Sequence, residues 1–223
     1  MKWAVKILHI GFVTHDVKSF TVEKPKNYSF IPGQATDVSI NKPGWKDEQR
    51  PFTFTSLAED PNLEFIIKEY PQHHGVTEQL HKLKPGDELI LTEPFGAIKY
   101  KGPGVFISGG AGITPFIAIL RRLEKDNQLN GNVLMFSNKT SEDVILEKEF
   151  EGMFKDKENL ILTLTRENKK GYENRRIDEQ FLKEKIKDFS QNFYICGPPP
   201  FVKDIKNVLK KLGAKTQSIT IEG

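Results

Sequence analysis

Apolar and polar residues alternate in short runs through the first hundred positions. Residues 3–13 alternate loosely at Val5 and Ile7 and then run apolar. Residues 18–24 alternate again, and residues 34–40, 50–57, 63–70 and 88–92 follow the same period of two. A period of two places successive side chains on opposite faces, so each run predicts a strand. Turn chemistry separates the runs: Pro25 with residues 27–33, Pro43-Gly44 in a charged loop, Asp60-Pro61-Asn62, and Pro85-Gly86-Asp87. One segment breaks the pattern, with Val76, Leu80 and Leu83 at helical spacing. Many short strands joined by tight turns predict an antiparallel β-barrel or sandwich.

The pattern changes at Lys101-Gly102-Pro103-Gly104. Apolar runs at 105–108, 132–136, 159–164, 192–196 and 215–221 now alternate with helical stretches at 114–123, 142–154, 178–187 and 199–212. Strand and helix in alternation imply a parallel sheet covered on both faces. The expected organisation is therefore two domains, residues 1–100 and residues 101–223. No internal repeat or low-complexity tract interrupts them.

Composition narrows the function classes. A chain of 223 residues that is 37% hydrophobic, with 16 Phe, can fill two modest cores. Its 33 basic and 30 acidic residues leave a net charge of +3, which argues against nucleic acid as a partner held by bulk charge. The single cysteine, Cys196, rules out a disulfide framework or a multi-cysteine metal centre within the chain. The first ten residues lack a leader pattern and no apolar run is long enough for a membrane span, so a soluble cytoplasmic protein is expected.

Four stretches carry candidate chemistry. Arg50-Pro51-Phe52-Thr53-Phe54-Thr55-Ser56 puts a cation and a rigid proline before alternating aromatic and hydroxyl side chains. The expected strand buries Phe52 and Phe54 and turns Thr53 and Thr55 the other way, with Arg50 placed to meet a phosphate. Gly109-Gly110-Ala111-Gly112-Ile113-Thr114-Pro115 joins an apolar strand to a helix. Glycines there admit a close ligand, Thr114 is a candidate cap, and the helix N-terminus favours a pyrophosphate. Pro115 stands where the Rossmann fingerprint has its third glycine. Cys196-Gly197-Pro198 ends another strand, and its thiol could be a nucleophile, a buried structural group or a contact to a ligand ring. His74-Gly75-Val76-Thr77 enters the short helix, with His73 and His74 read as surface histidines.

Taken in order, these stretches resemble the ferredoxin–NADP reductase superfamily. Arg50–Thr53 is similar to its flavin motif, His74–Thr77 to its flavin-pyrophosphate motif, and Gly109–Pro115 to its nicotinamide-domain turn. Cys196–Pro198 resembles its C-G-P motif, and Glu93-Pro94-Phe95-Gly96 the turn closing the flavin domain. The resemblance implies a six-stranded FAD barrel followed by a five-stranded NAD(P) domain. It implies that Arg50 and Pro51 flank the FAD pyrophosphate, that Phe52 packs on the isoalloxazine, and that Thr53 bonds near the flavin N5. It further implies that Ile67, Lys68 and Tyr70 line the ribityl–phosphate region and that Gly75, Val76 and Thr77 grip the pyrophosphate. Gly110, Gly112, Ile113 and Thr114 would hold the nicotinamide nucleotide, Cys196, Gly197 and Pro198 would border its ring, and Glu222 would supply the family's C-terminal acid. Thr53, Cys196 and Glu222 are the implied catalytic set.

Two departures stand out. Phe52 replaces the family's usual Tyr, and a terminal aromatic covering the flavin is absent after Glu222-Gly223. Thr165-Arg166, followed by Lys169, Lys170 and Tyr172, resembles the pattern that holds a 2′-phosphate, which favours NADPH with NADH as the alternative. The implied function is an FAD-dependent NAD(P)H oxidoreductase passing electrons to a small redox protein such as ferredoxin or flavodoxin. Lys42, Lys46, Lys68, Lys99 and Lys101 are candidate docking residues. The alternatives are a flavin or ferric reductase with a diffusible acceptor, and a non-catalytic flavoprotein subunit.

Overall fold

The computed structural model describes residues 1–96, 98–156 and 158–221. The chain divides into two units, Met1–Ala97 with Thr114–Arg122, and Ile98–Ile113 with Leu123–Gly223.

In the first unit β1 (Trp3–Thr14), β2 (Val17–Glu23), β3 (Ala35–Ile40), β4 (Arg50–Thr53) and β5 (Asn62–Lys68) are followed by the short helix α1 (Val76–His81) and β6 (Glu88–Leu91). The strands form one six-stranded antiparallel sheet in the order β4-β3-β6-β1-β2-β5. Just past β4 the sheet curls, and the Thr55 N–H donates to the Glu64 carbonyl on β5 at 2.9 Å. The inward side chains of the alternating runs, among them Val5, Ile7, Phe20, Val38, Phe65 and Leu89, fill the core. Phe54 lies at its centre, 4.1 Å from the Phe30 ring and 5.3 Å from that of Phe65. Burying one such ring stabilises the fold by about 1.5–3 kcal/mol.

The expected strand over residues 50–57 ends at Thr53. Beyond it the predicted in-and-out alternation stops, because Phe54, Thr55 and Ser56 are all buried where the sheet curls. Along β4 the Phe54 N–H donates to Gln34 of the neighbouring chain segment at 3.0 Å. By the alternation of an antiparallel ladder, residues 50 and 52 then face β3, while residues 51 and 53 face outward. Pro51 therefore sits where its missing N–H costs no ladder bond.

In the second unit β7 (Gly104–Gly109) opens the parallel sheet, α2 (Thr114–Lys125) follows it in the chain, and then come β8 (Val133–Asn138), α3 (Glu147–Met153), β9 (Leu160–Leu164), α4 (Glu179–Lys185), β10 (Asn192–Cys196), α5 (Pro199–Lys211) and β11 (Ile219–Ile221). The strand order is β11-β10-β7-β8-β9, all parallel. Val105, Ile107, Phe193 and Ile195 pack with Phe181, Leu182, Ile205 and Leu209 of α4 and α5. On the other face of the strands Phe106 stacks on Tyr194 at 4.5 Å. Asp178 caps α4 as its position predicts, accepting the Phe181 N–H at 2.8 Å.

The helix expected over 142–154 is broken. Ser141–Asp143 forms a single 3-10 turn, Leu146 takes a left-handed conformation at φ 54°, and α3 begins only at Glu147. Val144 and Ile145 between them are buried, and drawing both into the core outweighs helical continuity.

Candidate functional site

The first unit carries its candidate residues on β4, at the end of β5 and at the start of α1. Arg50 and Pro51 are exposed. Among the described residues the Arg50 guanidinium donates to its neighbour Gln49 at 2.7 Å and lies 3.6 Å from Glu48, and its side chain is 52% exposed. Phe52 is partly buried and leans on the core. Thr53 is 7% exposed, and its hydroxyl has no hydrogen-bond partner among the described residues. The Thr55 hydroxyl, by contrast, donates to Glu64 at 2.7 Å. Arg121 of this unit holds the same carboxylate and the Thr55 carbonyl, each at 2.7 Å. Of the motif's two threonines, then, the Thr55 hydroxyl is committed to the fold and the Thr53 hydroxyl is not, among the described residues.

Residues at the end of β5 and just beyond it divide in the same way. Ile67 is a core side chain, and its carbonyl is 2.9 Å from His81 Nε2. The Lys68 ammonium pairs with Asp16 and holds that carboxyl below its ordinary range, against the opposing effect of burial. Tyr70 is exposed and stacks on His73 at 5.7 Å. Gly75 precedes α1 in an extended conformation, with nothing closer than the His73 carbonyl, 3.8 Å from where a Cβ would stand. Val76 is buried beneath it and Thr77 is half-buried. His74 is exposed, takes a left-handed φ of 46°, and lies 3.3 Å from Glu78.

His81 is a residue that the pattern did not single out. It is buried, with its other ring nitrogen 3.4 Å from Glu69, and burial pushes its pKa down from the ordinary 6.5. Its signal in sequence was the polar member of an apolar helical face, Val76-x-x-x-Leu80-His81.

The second unit builds its candidate site from backbone. A 3-10 turn, Gly110–Ile113, runs straight from β7 into α2, so Thr114 is the first residue of the α-helix instead of a flanking cap. Gly110 has a φ of +53° and open space where a Cβ would stand. Gly112 is different: a Cβ there would lie 2.5 Å from the Gly197 Cα and nitrogen. Its missing side chain admits the Cys196–Pro198 strand end. Gly197 in turn has a φ of +156°, and a Cβ on it would approach the Gly109 nitrogen to 3.2 Å. The two motifs thus interlock at the carboxyl end of the sheet, where open α/β sheets take their ligands. Ile113 is fully buried, and Cys196 is 4% exposed. A nucleophile needs approach, so the structure disfavours that role for the thiol.

Thr165 and Arg166 are exposed at the end of β9 and tied to the end of β8 by Thr165 N–H to Asn138 at 3.0 Å and Arg166 N–H to Lys139 at 2.9 Å. Asn138 itself has both amide atoms buried and unpartnered among the described residues. The Tyr172 hydroxyl donates to Glu147, and burial, then Glu147, pushes the phenol pKa upward. Glu222 lies outside the described residues. Of the five candidate docking lysines, Lys68 is paired with Asp16, and Lys42 with Asp87 at 2.8 Å.

An FAD-binding domain family matches residues 2–109, and an oxidoreductase NAD-binding domain family matches residues 106–207. The chain is 30% identical over 213 residues to NADH-cytochrome b5 reductase 2-A of Vanderwaltozyma polyspora, covering 88% of this chain and 71% of that protein. The chain belongs to the ferredoxin–NADP reductase-like flavoprotein oxidoreductases. It is also 24% identical to the ferredoxin–NAD(P)+ reductase component of the naphthalene 1,2-dioxygenase system of Pseudomonas putida, covering 92% of this chain and 64% of that protein. The FAD/NAD-binding domain of nitric oxide dioxygenase from Vibrio cholerae shares the fold at a TM-score of 0.86 and 22% identity, covering 98% of this chain and 97% of that one. As a member of this family the chain is an NAD(P)H-dependent reductase that binds FAD. No helix among its described residues is long and apolar enough to cross a membrane.

The geometry fits that cofactor. An exposed guanidinium, a buried threonine whose hydroxyl has no partner among the described residues, and an uncrowded glycine before α1 are polar and small groups of the kind a dinucleotide needs in the FAD-binding unit.

Proposed function

We propose that this chain accepts hydride from NADPH, with NADH as a weaker donor, and delivers electrons to a small redox protein of the ferredoxin, flavodoxin or cytochrome kind. Residues 1–100 would form the FAD-binding part and 101–223 the NAD(P)-binding part. Bound FAD supplies the chemistry, taking two electrons as hydride and releasing them singly.

The protein's own residues orient and enclose. Arg50 neutralises the FAD pyrophosphate, with Pro51 stiffening the strand beside it and Gly75, Val76 and Thr77 gripping it from the start of α1. Phe52 offers its ring to the flavin, and Thr53 offers its hydroxyl near the flavin N5. Tyr70 contributes an exposed aromatic face, while Ile67 and Lys68 support the segment that carries it. Gly110, Gly112, Ile113 and Thr114 shape the turn for the dinucleotide, Cys196, Gly197 and Pro198 border its nicotinamide, and Thr165 and Arg166 meet its adenosine. Phe52, Thr53 and Cys196, the groups assigned to the reacting rings, are not strong acids or bases, as suits a transfer governed by ring placement and exclusion of water.

The observation that carries this reading is the hydroxyl of Thr53, a residue 7% exposed beside β3, which has no hydrogen-bond partner among the described residues. A protein acceptor is supported by an exposed aromatic near it: Ala35 pairs with Thr53 and is bridged to Phe95, whose side chain is 41% exposed. The relatives' names point the same way, to cytochrome b5 and ferredoxin.

Rapid mixing of the FAD-loaded protein with NADPH or NADH tests the first half. Flavin absorbance should bleach, faster with NADPH, and no bleaching with either defeats the proposal. Turnover with ferredoxin, flavodoxin or cytochrome b5 tests the second half. Turnover with diffusible acceptors alone removes the protein partner.

A further inference from the structure

Two consecutive arginines of α2 reach the segment just past β4, and they lie in the same unit as that segment. One guanidinium nitrogen of Arg121, Nη1, donates to the Thr55 carbonyl and to Glu64 Oε1, each at 2.7 Å. The Thr55 hydroxyl donates to the same Oε1 at 2.7 Å, and the Glu64 N–H donates to the Ser56 hydroxyl at 3.0 Å. The Thr55 N–H goes to the Glu64 carbonyl, so every polar group of Thr55 is engaged. Arg121 and Glu64 are half-buried beside the fully buried Thr55. Arg122 pairs instead with Glu59, which is exposed.

Thr53 stands two residues before Thr55 on the same segment. Ahead of it the ladder to β3 fixes the backbone, through the Ala35–Thr53 pair. Beyond it β4 has ended, and the course of the chain depends on Phe54 in the core and on Thr55. The Thr55 carbonyl cannot turn away without leaving a half-buried cation short of an acceptor. Arg121 is carried by α2, whose first residue follows the Gly110–Ile113 turn without a break. Phe116, Ile117 and Leu120 bury one face of that helix completely, which leaves it little freedom to shift. The chain therefore runs from the glycine turn, along a stiff helix, to the group that holds the segment carrying Thr53.

We propose that Arg121 is a positioning residue for hydride transfer: it fixes the segment carrying Thr53 to the helix that continues the Gly110–Ile113 turn, and it touches neither cofactor. The proposal rests on the reading that Thr53 faces the flavin and that the turn receives the nicotinamide nucleotide. Its mark is a split in the kinetics. A group that binds a cofactor changes affinity, whereas a group that only places the reacting rings changes the rate at saturation. Misplacement by about 1 Å slows a reaction about 100-fold, even when its cause is far from the reacting atoms.

The test uses FAD-loaded wild type, Arg121→Met, Arg121→Lys and Arg122→Met. Rapid mixing with increasing NADPH or NADH, whichever bleaches wild type faster, gives the limiting rate of flavin reduction and the dissociation constant of the donor. Deuterium at the transferred position should slow that rate in every protein, which identifies the step as hydride transfer. Arg121→Met should lower the limiting rate about 10–100-fold, and Arg121→Lys about 3–10-fold, because a lysine is a point donor on a flexible stem. Both should keep donor and FAD affinities within about twofold of wild type, and Arg122→Met should match wild type throughout. Arg121→Lys keeps the charge and carries the test where Arg121→Met fails to fold. Unslowed reduction in the Arg121 variants overturns this proposal and leaves the functional reading standing. Equal slowing in Arg122→Met, or slowing matched by loss of FAD, makes Arg121 a general anchor of the fold and overturns it as well. No bleaching of wild type by either donor overturns both.

Discussion

The Arg50–Thr53 edge and the Gly109–Ile113 turn present their chemistry by opposite means. The edge uses side chains mounted on a strand whose backbone is secured by β3. The turn uses backbone, and it has its shape because two glycine-containing segments pack where no Cβ fits. A side-chain site can lose function while the fold survives. A backbone site cannot be altered without disturbing the packing that creates it.

Gly112→Ala should break this contrast most severely. Its new methyl would meet Gly197 backbone at 2.5 Å, and the overpacking should cost about 2–3 kcal/mol and abolish flavin reduction by NAD(P)H. Chemical denaturation and rapid mixing measure both effects, and an unchanged unfolding midpoint would show that the segments can part freely. Arg50→Ala should do the reverse. FAD should dissociate about 10–100-fold more readily, the loss expected for charged hydrogen bonds of about 1.5–3 kcal/mol. Stability of the FAD-free chain should change by less than about 0.5 kcal/mol. Equal loss in both measurements would make Arg50 structural.

Thr53→Ala should slow flavin reduction by about fivefold, the worth of one neutral hydrogen bond near 1 kcal/mol. Because Thr53 Oγ has no partner among the described residues, folding stability should hardly move. Unslowed reduction would remove its hydroxyl from the reacting centre.

The smallest effect concerns His81, which joins α1 to the end of β5 in the side-chain unit. Burial lowers its pKa below 6.5, so between that lowered value and 6.5 the unfolded chain binds a proton that the folded chain refuses. Stability therefore rises with pH across that window and falls on acidification. Urea midpoints at about pH 7.5 and about pH 5.5 should differ less in His81→Asn than in wild type. An identical difference would show that other groups carry the acid sensitivity.

Much of this architecture was legible because period-two and helical runs follow one another with clear turns between them. The five motifs were legible because glycine, proline and a lone cysteine occur at strand ends, where their special backbone or small size has a use. Contacts between distant residues were not legible. The partition of Thr53 from Thr55 depends on Glu64, and the reason for Gly112 is Gly197, far along the chain. Val144 and Ile145 broke a helix that local spacing favoured, because core burial decides between conformations of similar local energy.

Pro51 has a consequence beyond stiffening its strand. Its outward position removes a donor from an edge that would otherwise invite another extended chain, and the exposed Arg50 beside it adds charge. Proline and charge are the devices by which natural sheets keep their edges from joining those of other molecules. The strand proposed to receive the flavin is thus also guarded before the flavin arrives. A newly made chain can wait for its cofactor without adding a neighbour's strand to that edge.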